Sequence, residues 1–278
     1  MSGVIIDTLL DTVKLVPFLF LTYLGMEYLE HKTGKKAQGL VRRAGRLGPV
    51  IGGALGVVPQ CGFSAAASNL YAGRLITLGT LLAIYLSTSD EMLPILISEQ
   101  APVRTIVLIL LAKAAIGIVA GFAVDMVFSR HREEEHHIHE ICEQEHCHCE
   151  EGSVFRSALV HTAQIGGFIL IITFLLNLLF FFVGEDALAG SILNRKVLGP
   201  VLASLVGLIP NCAGSVAITQ LYLEGVIGTG AMLAGLLTGS GVGLLILFRV
   251  NHDRKENLKI LALLYFIGVF VGIVVGLG

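Results

Sequence analysis

The sequence predicts an all-α integral membrane protein made of two homologous repeats, each with three spanning helices and one re-entrant helical hairpin, about ten hydrophobic segments in all. Three observations predict it. Hydrophobic residues make up 54% of the 278 and charged residues only 14%, about half the roughly 25% of a soluble domain, so the chain cannot clothe itself in polar surface. A motif in the first half recurs in the second at a fixed offset. Prolines and glycines cut the same segment of each half into pieces too short to cross a bilayer.

Taken in order, 4–24 is the first apolar stretch. It exceeds the roughly 18 residues of a spanning helix and has neither a basic start nor a small-residue cleavage site, so it reads as a span and not as a signal peptide. Segment 47–72 is long enough for one span, but Pro59 to Gly62 divide it into two arms. Each arm of about 11 residues reaches half of a ~30 Å hydrocarbon core at about 1.5 Å per residue. A re-entrant hairpin with its tip at Pro59-Gln60-Cys61-Gly62 satisfies that arithmetic. Segment 75–98 is broken by Ser87-Thr88-Ser89-Asp90-Glu91 and then Pro94, and 105–123 is an uninterrupted span.

The second half repeats this plan. Gly56 to Tyr71 aligns without a gap on Gly207 to Tyr222, with Gly, Pro, Cys, Ser, Ala, Leu and Tyr identical in register. The second tip is therefore Pro210-Asn211-Cys212-Ala213, and Thr238-Gly239-Ser240-Gly241 answers the first break. Spans at 165–183 and 258–278 complete the set. The division is 1–128 for the first repeat, 129–155 for a polar loop and 156–278 for the second repeat.

Three crossings per repeat is an odd number, which inverts the second repeat relative to the first. With loop 27–47 inside, Lys and Arg concentrate on the inner side, leaving Arg104, Arg195 and Lys196 outside. A parallel arrangement, with the hairpins drawn as full spans, fits the charges almost as well; the inverted one is preferred because it accounts for the paired breaks, and it puts the 129–155 loop in the cytoplasm. The expected location is the cell (inner) membrane, multi-pass.

Polar groups inside a membrane are costly and mark functional candidates. The tips supply Gln60, Cys61, Asn211 and Cys212, with Ser64 and Ser215 one turn on. Amide oxygens and a thiolate can replace a metal ion's hydration shell, and sulfur favours soft or borderline ions; the plain alternative is Cys as a small buried hydrophobe. Ser87, Ser89, Asp90 and Glu91 offer oxygen ligands or proton acceptors at the first break, or a solvated pair of acids. Asp11 stands where His161 stands in the second repeat, after a one-residue gap, and the two are a ligand pair, a proton couple or helix caps. Lys113 is available to neutralise an acid across the bundle.

The central loop holds His131, His136, His137, His139, Cys142, His146, Cys147, His148 and Cys149 among glutamates. Imidazoles and thiolates this closely spaced supply N and S ligands. With no single tetrahedral pattern, a loose, exchangeable chelator is expected in preference to a structural site. The alternative is a solvated acidic linker.

The paired Pro59-Gln-Cys-Gly and Pro210-Asn-Cys-Ala tips, the Asp11-Thr and His161-Thr starts and the His-rich loop together resemble the ten-transmembrane-segment heavy-metal exporter family, whose members are also labelled arsenic efflux protein or manganese transporter. The resemblance covers nearly the whole chain and implies efflux of a metal or metalloid. The function expected is secondary active export of a divalent heavy or transition metal ion (Mn, Zn, Co, Ni or Cd) through a site at the two tips. No resident cofactor is required; the metal is cargo or loop-bound. The expected partners are the lipid bilayer and the metal, with protons as candidate coupling ion, a homodimer as candidate assembly, and no nucleic acid. Nothing resembles a Walker motif, so ATP is not the direct energy source. The alternatives are a transporter of an arsenical or other small solute, and a membrane metal sensor working through the loop. An enzyme is not expected, because Cys61 and His161 lack a local catalytic signature and a nucleophile would not need an equivalent twin.

Overall fold

The computed structural model describes residues 47–58, 61–89, 92–128, 196–210 and 212–277, together with isolated helical positions between 13 and 24 and between 155 and 174. Every regular element among the described residues is a helix: α1 Gly48–Gly56, α2 Cys61–Ala72, α3 Leu78–Ser87, α4 Met92–Ser98, α5 Val103–Phe128, α6 Leu198–Gly207, α7 Cys212–Leu223, α8 Thr229–Thr238, α9 Gly243–Val250 and α10 Arg254–Leu277. The expectation of an all-helical membrane protein holds at this level. Among the described residues, four stretches are long and apolar enough to cross a membrane: 78–98, 103–128, 229–250 and 254–277.

Two central helices organise the bundle. Residues Gly79 to Ser87 of α3 and Gly230 to Thr238 of α8 are buried on every side, which is possible for a helix apolar all round only when protein encloses it. Each lies between a short helix and a long one: α3 between α1 and α5, α8 between α6 and α10. The long helices turn their other flank outward, with Leu111, Val119 and Met126 of α5 and Phe266 and Phe270 of α10 exposed. In lipid such faces carry no penalty.

The close approach is made by small residues, the usual device where lipid removes the hydrophobic drive for helix association. On α5, Gly117 and Gly121 face Ala83 and Gly79 of α3; on α10, Gly268 and Gly272 face Ala234 and Gly230 of α8. A Cβ on Gly121 would lie 2.5 Å from the Gly79 carbonyl, 3.0 Å from Pro49 Cβ and 3.1 Å from Ala83 Cβ. Gly56 abuts the Ser87 hydroxyl and the Ile84 carbonyl, and Gly207 abuts the Gly235 carbonyl and the Thr238 hydroxyl.

The halves interlock through the pieces beyond the breaks. Helix α9 packs on α2 and α4 on α7. Gly243 opens α9 directly over Ser64, while Met92 and Leu96 of α4 join the cluster of Ile218. Phe20 and Phe155 meet edge to face at 5.2 Å, and Phe20 also packs against the cluster of Ala65, Val242 and Ile246.

Helices α2 and α7 end alike. Leu75 N–H donates to the Leu70 carbonyl and Arg74 N–H to that of Tyr71; Val226 and Gly225 repeat the two bonds with Leu221 and Tyr222. This closure needs a left-handed residue, which is Gly225 at φ 73° in the second half and Arg74 at φ 57° in the first. The non-glycine is held by a two-pronged ion pair, Arg74 Nη1 to Glu256 Oε1 at 2.9 Å and Nη2 to Oε2 at 3.0 Å. Tyr71 and Asn251 also donate to that carboxylate, and it holds the Arg74 guanidinium above its ordinary pKa.

Candidate functional site

Polar side chains gather where the two central helices stop. Helix α3 ends at Ser87 and the chain re-enters helix at Met92; α8 ends at Thr238 and resumes at Gly243. At the first stop, Ser87 Oγ donates to the Ala83 and Ile84 carbonyls at 2.7 and 3.1 Å, and Thr88 Oγ1 to Ile84 at 2.7 Å. Ser89 Oγ reaches across to the Val57 carbonyl at 2.9 Å, which brings the break against the residues that lead into Pro59 and Gln60. At the second stop, Thr238 Oγ1 sits within 3.1 Å of the Ser204, Ala234 and Gly235 carbonyls. Ser204 Oγ and Ser240 Oγ have no hydrogen-bond partner among the described residues and are 0% and 1% exposed.

The two breaks are joined. Ser68 Oγ donates to the Ser64 carbonyl, lies 2.7 Å from the Tyr85 hydroxyl and reaches the Gly243 carbonyl, also at 2.7 Å, so one hydroxyl ties α2, α3 and α9 together. From α5, Lys113 Nζ donates to the Thr88 carbonyl just past α3 and, at 2.7 Å, to the Leu236 carbonyl in the last turn of α8. The backbone there is open to a side-chain donor: Ser240 N–H turns back to Thr238 and leaves Leu236 outside the helical ladder.

Of the residues expected at the site, Ser64, Ser87 and Ser89 are buried and lie in this region, while Ser215 is partly buried on α7. Cys61 and Cys212 are the first residues of α2 and α7, one turn before Ser64 and Ser215. Gln60, Asn211, Asp90, Glu91, Asp11 and His161 lie outside the described residues, as do His131, His136, His137, His139, Cys142, His146, Cys147, His148 and Cys149. Among the described residues no group of three His, Cys, Asp or Glu side chains converges. What the described side chains bring together at the breaks is hydroxyl oxygen beside main-chain carbonyls, plus the amine of Lys113. Asp125, the acid nearest the start of α3, is spent on capping it: it accepts from Gly79 N–H at 2.8 Å and Thr77 Oγ1 at 2.7 Å.

Sequence reasoning missed Ser68 and the part played by Lys113. Ser68 carried a signal, as a small polar residue in an apolar arm; Lys113 was singled out for its charge, but its bonds to the Thr88 and Leu236 main-chain carbonyls are contacts that no residue pattern encodes.

Comparison with known proteins adds one finding. A family model described as "Putative, 10TM heavy-metal exporter" matches residues 2–180. No curated protein and no solved structure matches the chain.

Proposed function

From the premise that this chain belongs to the 10TM heavy-metal exporter family, we propose that it is a secondary active exporter of a divalent heavy or transition metal ion, with its cargo site where the two helix breaks meet the starts of α2 and α7. The observation that carries the reading is the buried, hydroxyl-lined, non-helical backbone at 88–89 and 239–242 inside two stretches of membrane-crossing length. Irregular backbone at that depth is tolerated only where protein buries it or where it lines a cavity.

Gln60, Cys61, Asn211 and Cys212 take the ion at the tips, backed by Ser64 and Ser215; Asp90, Glu91, Asp11 and His161 assist as ligands or carry counter-transported protons. The loop 129–155 is an exchangeable chelator that raises the local metal concentration. Short α1 and α2, and likewise α6 and α7, are the arms of re-entrant hairpins: at 9, 12, 10 and 12 residues and about 1.5 Å per residue none reaches across a ~30 Å core.

The domain plan proposed is repeat 1–128, loop 129–155 and repeat 156–278, with the repeats inverted. Inversion is supported by the ends of α10. Arg74, just before α3, pairs with Glu256 at its start, whereas Gly230 of α8 packs on Gly276 at its finish, so the two central helices begin on opposite sides. Alternating access is then a rocking of the two repeats about the site.

The test is metal flux into proteoliposomes holding a fluorescent indicator, screened with manganese, zinc, cobalt, nickel and cadmium. Wild type is expected to move at least one of them, the Cys61→Ala/Cys212→Ala double variant to lose flux, and deletion of 131–149 only to weaken it. A double variant that transports at the wild-type rate would sink the site. One observation favours a second reading: buried hydroxyl and carbonyl oxygens with the Lys113 ammonium beside them suit an arsenical oxyacid. Arsenite flux without metal flux would select it.

A further inference from the structure

Among the described residues Lys113 is the buried member of the Lys, Arg, Asp and Glu set, at 1% exposure. It is the eleventh residue of α5, about 15 Å along the helix axis and so near mid-membrane if the span is centred. Sequestering an amine there is unfavourable unless its N–H groups are matched, and two of the groups that match it are the ends of the central helices: the carbonyl of Thr88, first residue past α3, and the carbonyl of Leu236, in the last turn of α8. A helix C-terminus carries roughly half a unit of negative charge. Both ends therefore favour a positive charge between them. The three groups belong to different elements and to both halves of the chain, so the cluster spans the junction across which the halves would move.

We propose that Lys113 is a positioning residue that does the work of a bound monovalent cation: its ammonium holds the break after α3 against the last turn of α8, and the cargo path beside those breaks forms only while a positive charge stands between them. The flux consequences rest on the transport reading above. The structural consequence does not. A charged residue at this place is required, and a small free cation able to donate hydrogen bonds replaces it when the side chain is cut away.

The experiment uses full-length protein purified and reconstituted as wild type, K113A, K113M and K113R, read by metal flux and by thermal unfolding in detergent with and without methylammonium chloride, using tetramethylammonium chloride as the salt control. Loss of charged hydrogen bonds predicts flux slower by about tenfold or more in K113A and K113M, with lower melting points. Methylammonium is expected to raise the melting point and flux of K113A, which leaves room for it, and not of K113M, which fills the space; tetramethylammonium, with no N–H, rescues neither. K113M that melts and transports like wild type overturns the proposal. So does K113A that is impaired yet indifferent to methylammonium. Should both variants fail to fold, K113R decides: a charge-keeping variant that folds and transports supports the role, and one that fails like K113M refutes it. If wild type moves no metal, the transport reading falls while the melting comparison still tests Lys113.

Discussion

A single methyl group added to Gly121 should destabilise the protein as much as one added to Gly272. Each glycine lies where a long helix meets a central one. The new Cβ of Gly121→Ala meets the Gly79 carbonyl, Pro49 Cβ and Ala83 Cβ; that of Gly272→Ala meets the Gly230 carbonyl at 2.6 Å, Pro200 Cβ at 3.0 Å and Ala234 Cβ. None of these neighbours is the free end of a flexible chain, so the helices themselves must part by several tenths of an ångström, and overpacking of this kind costs about 1–3 kcal/mol. The same alanine favours a helix over glycine by roughly 1 kcal/mol, which offsets part of the loss, so a net loss of up to about 2 kcal/mol, about 4–8 °C in melting temperature at that limit, is expected for each variant. Gly228→Ala is the control, since its Cβ would have nothing within 4 Å. The assay is thermal unfolding in detergent, with the three variants side by side. Equal losses at 121 and 272 with none at 228 would show matched packing in the two halves. A loss at one glycine alone, or a larger loss at 228, would refute the claim that the halves are packed by the same contacts.

Two further outcomes follow from particular contacts. Glu256→Ala leaves Arg74 in its left-handed conformation with no anion, whereas Arg74→Gly relieves that conformation as it removes the pair; with side-chain exposures of 33% and 22% the pair itself deserves only about 1 kcal/mol. Glu256→Ala is therefore expected to melt lower and Arg74→Gly within about 0.5 kcal/mol of wild type, because the backbone gain of roughly 1 kcal/mol cancels the loss; reversal of that order in thermal unfolding would refute the strain argument. Ser240→Ala removes a hydroxyl that has no partner among the described residues and should change stability by less than about 0.5 kcal/mol, while Thr238→Val removes the one hydroxyl proton shared among the Ser204, Ala234 and Gly235 carbonyls and should cost about 1–2 kcal/mol. Because Ser240→Ala is expected to fold normally, flux measured on it reports on the pathway rather than on the fold.

The breaks were legible in the sequence because they are written in residue type. Ser87 to Glu91 and Thr238 to Gly241 interrupt apolar runs with residues that leave helices readily, and the chain indeed leaves helix at Thr88 and Gly239. The core was not legible. Helices α3 and α8 are enclosed while α5 and α10 face outward, yet all four are strongly apolar, since in lipid a buried and an exposed face want the same side chains. What distinguishes them is the small-residue stripe, Gly117 and Gly121 against Gly79 and Ala83 with its counterpart in the second half, and that stripe is read from spacing rather than from hydropathy.

Polar contacts follow a different logic from the frame that holds them. The glycine stripes and the left-handed closures recur in both halves, but Lys113 has Leu264 at its counterpart position and the Arg74–Glu256 pair has Gly225 and Thr105. Packing constrains the two halves alike, because a Cβ at Gly121 or at Gly272 would meet the carbonyl and Cβ atoms of a neighbouring helix. A charge is different: one ammonium already reaches both helix ends, each carrying roughly half a unit of negative charge, and a second at position 264 would need partners of its own. The contact of Lys113 with both helix ends is thus asymmetric, and a motif recurring in the two halves of the sequence could not have disclosed it.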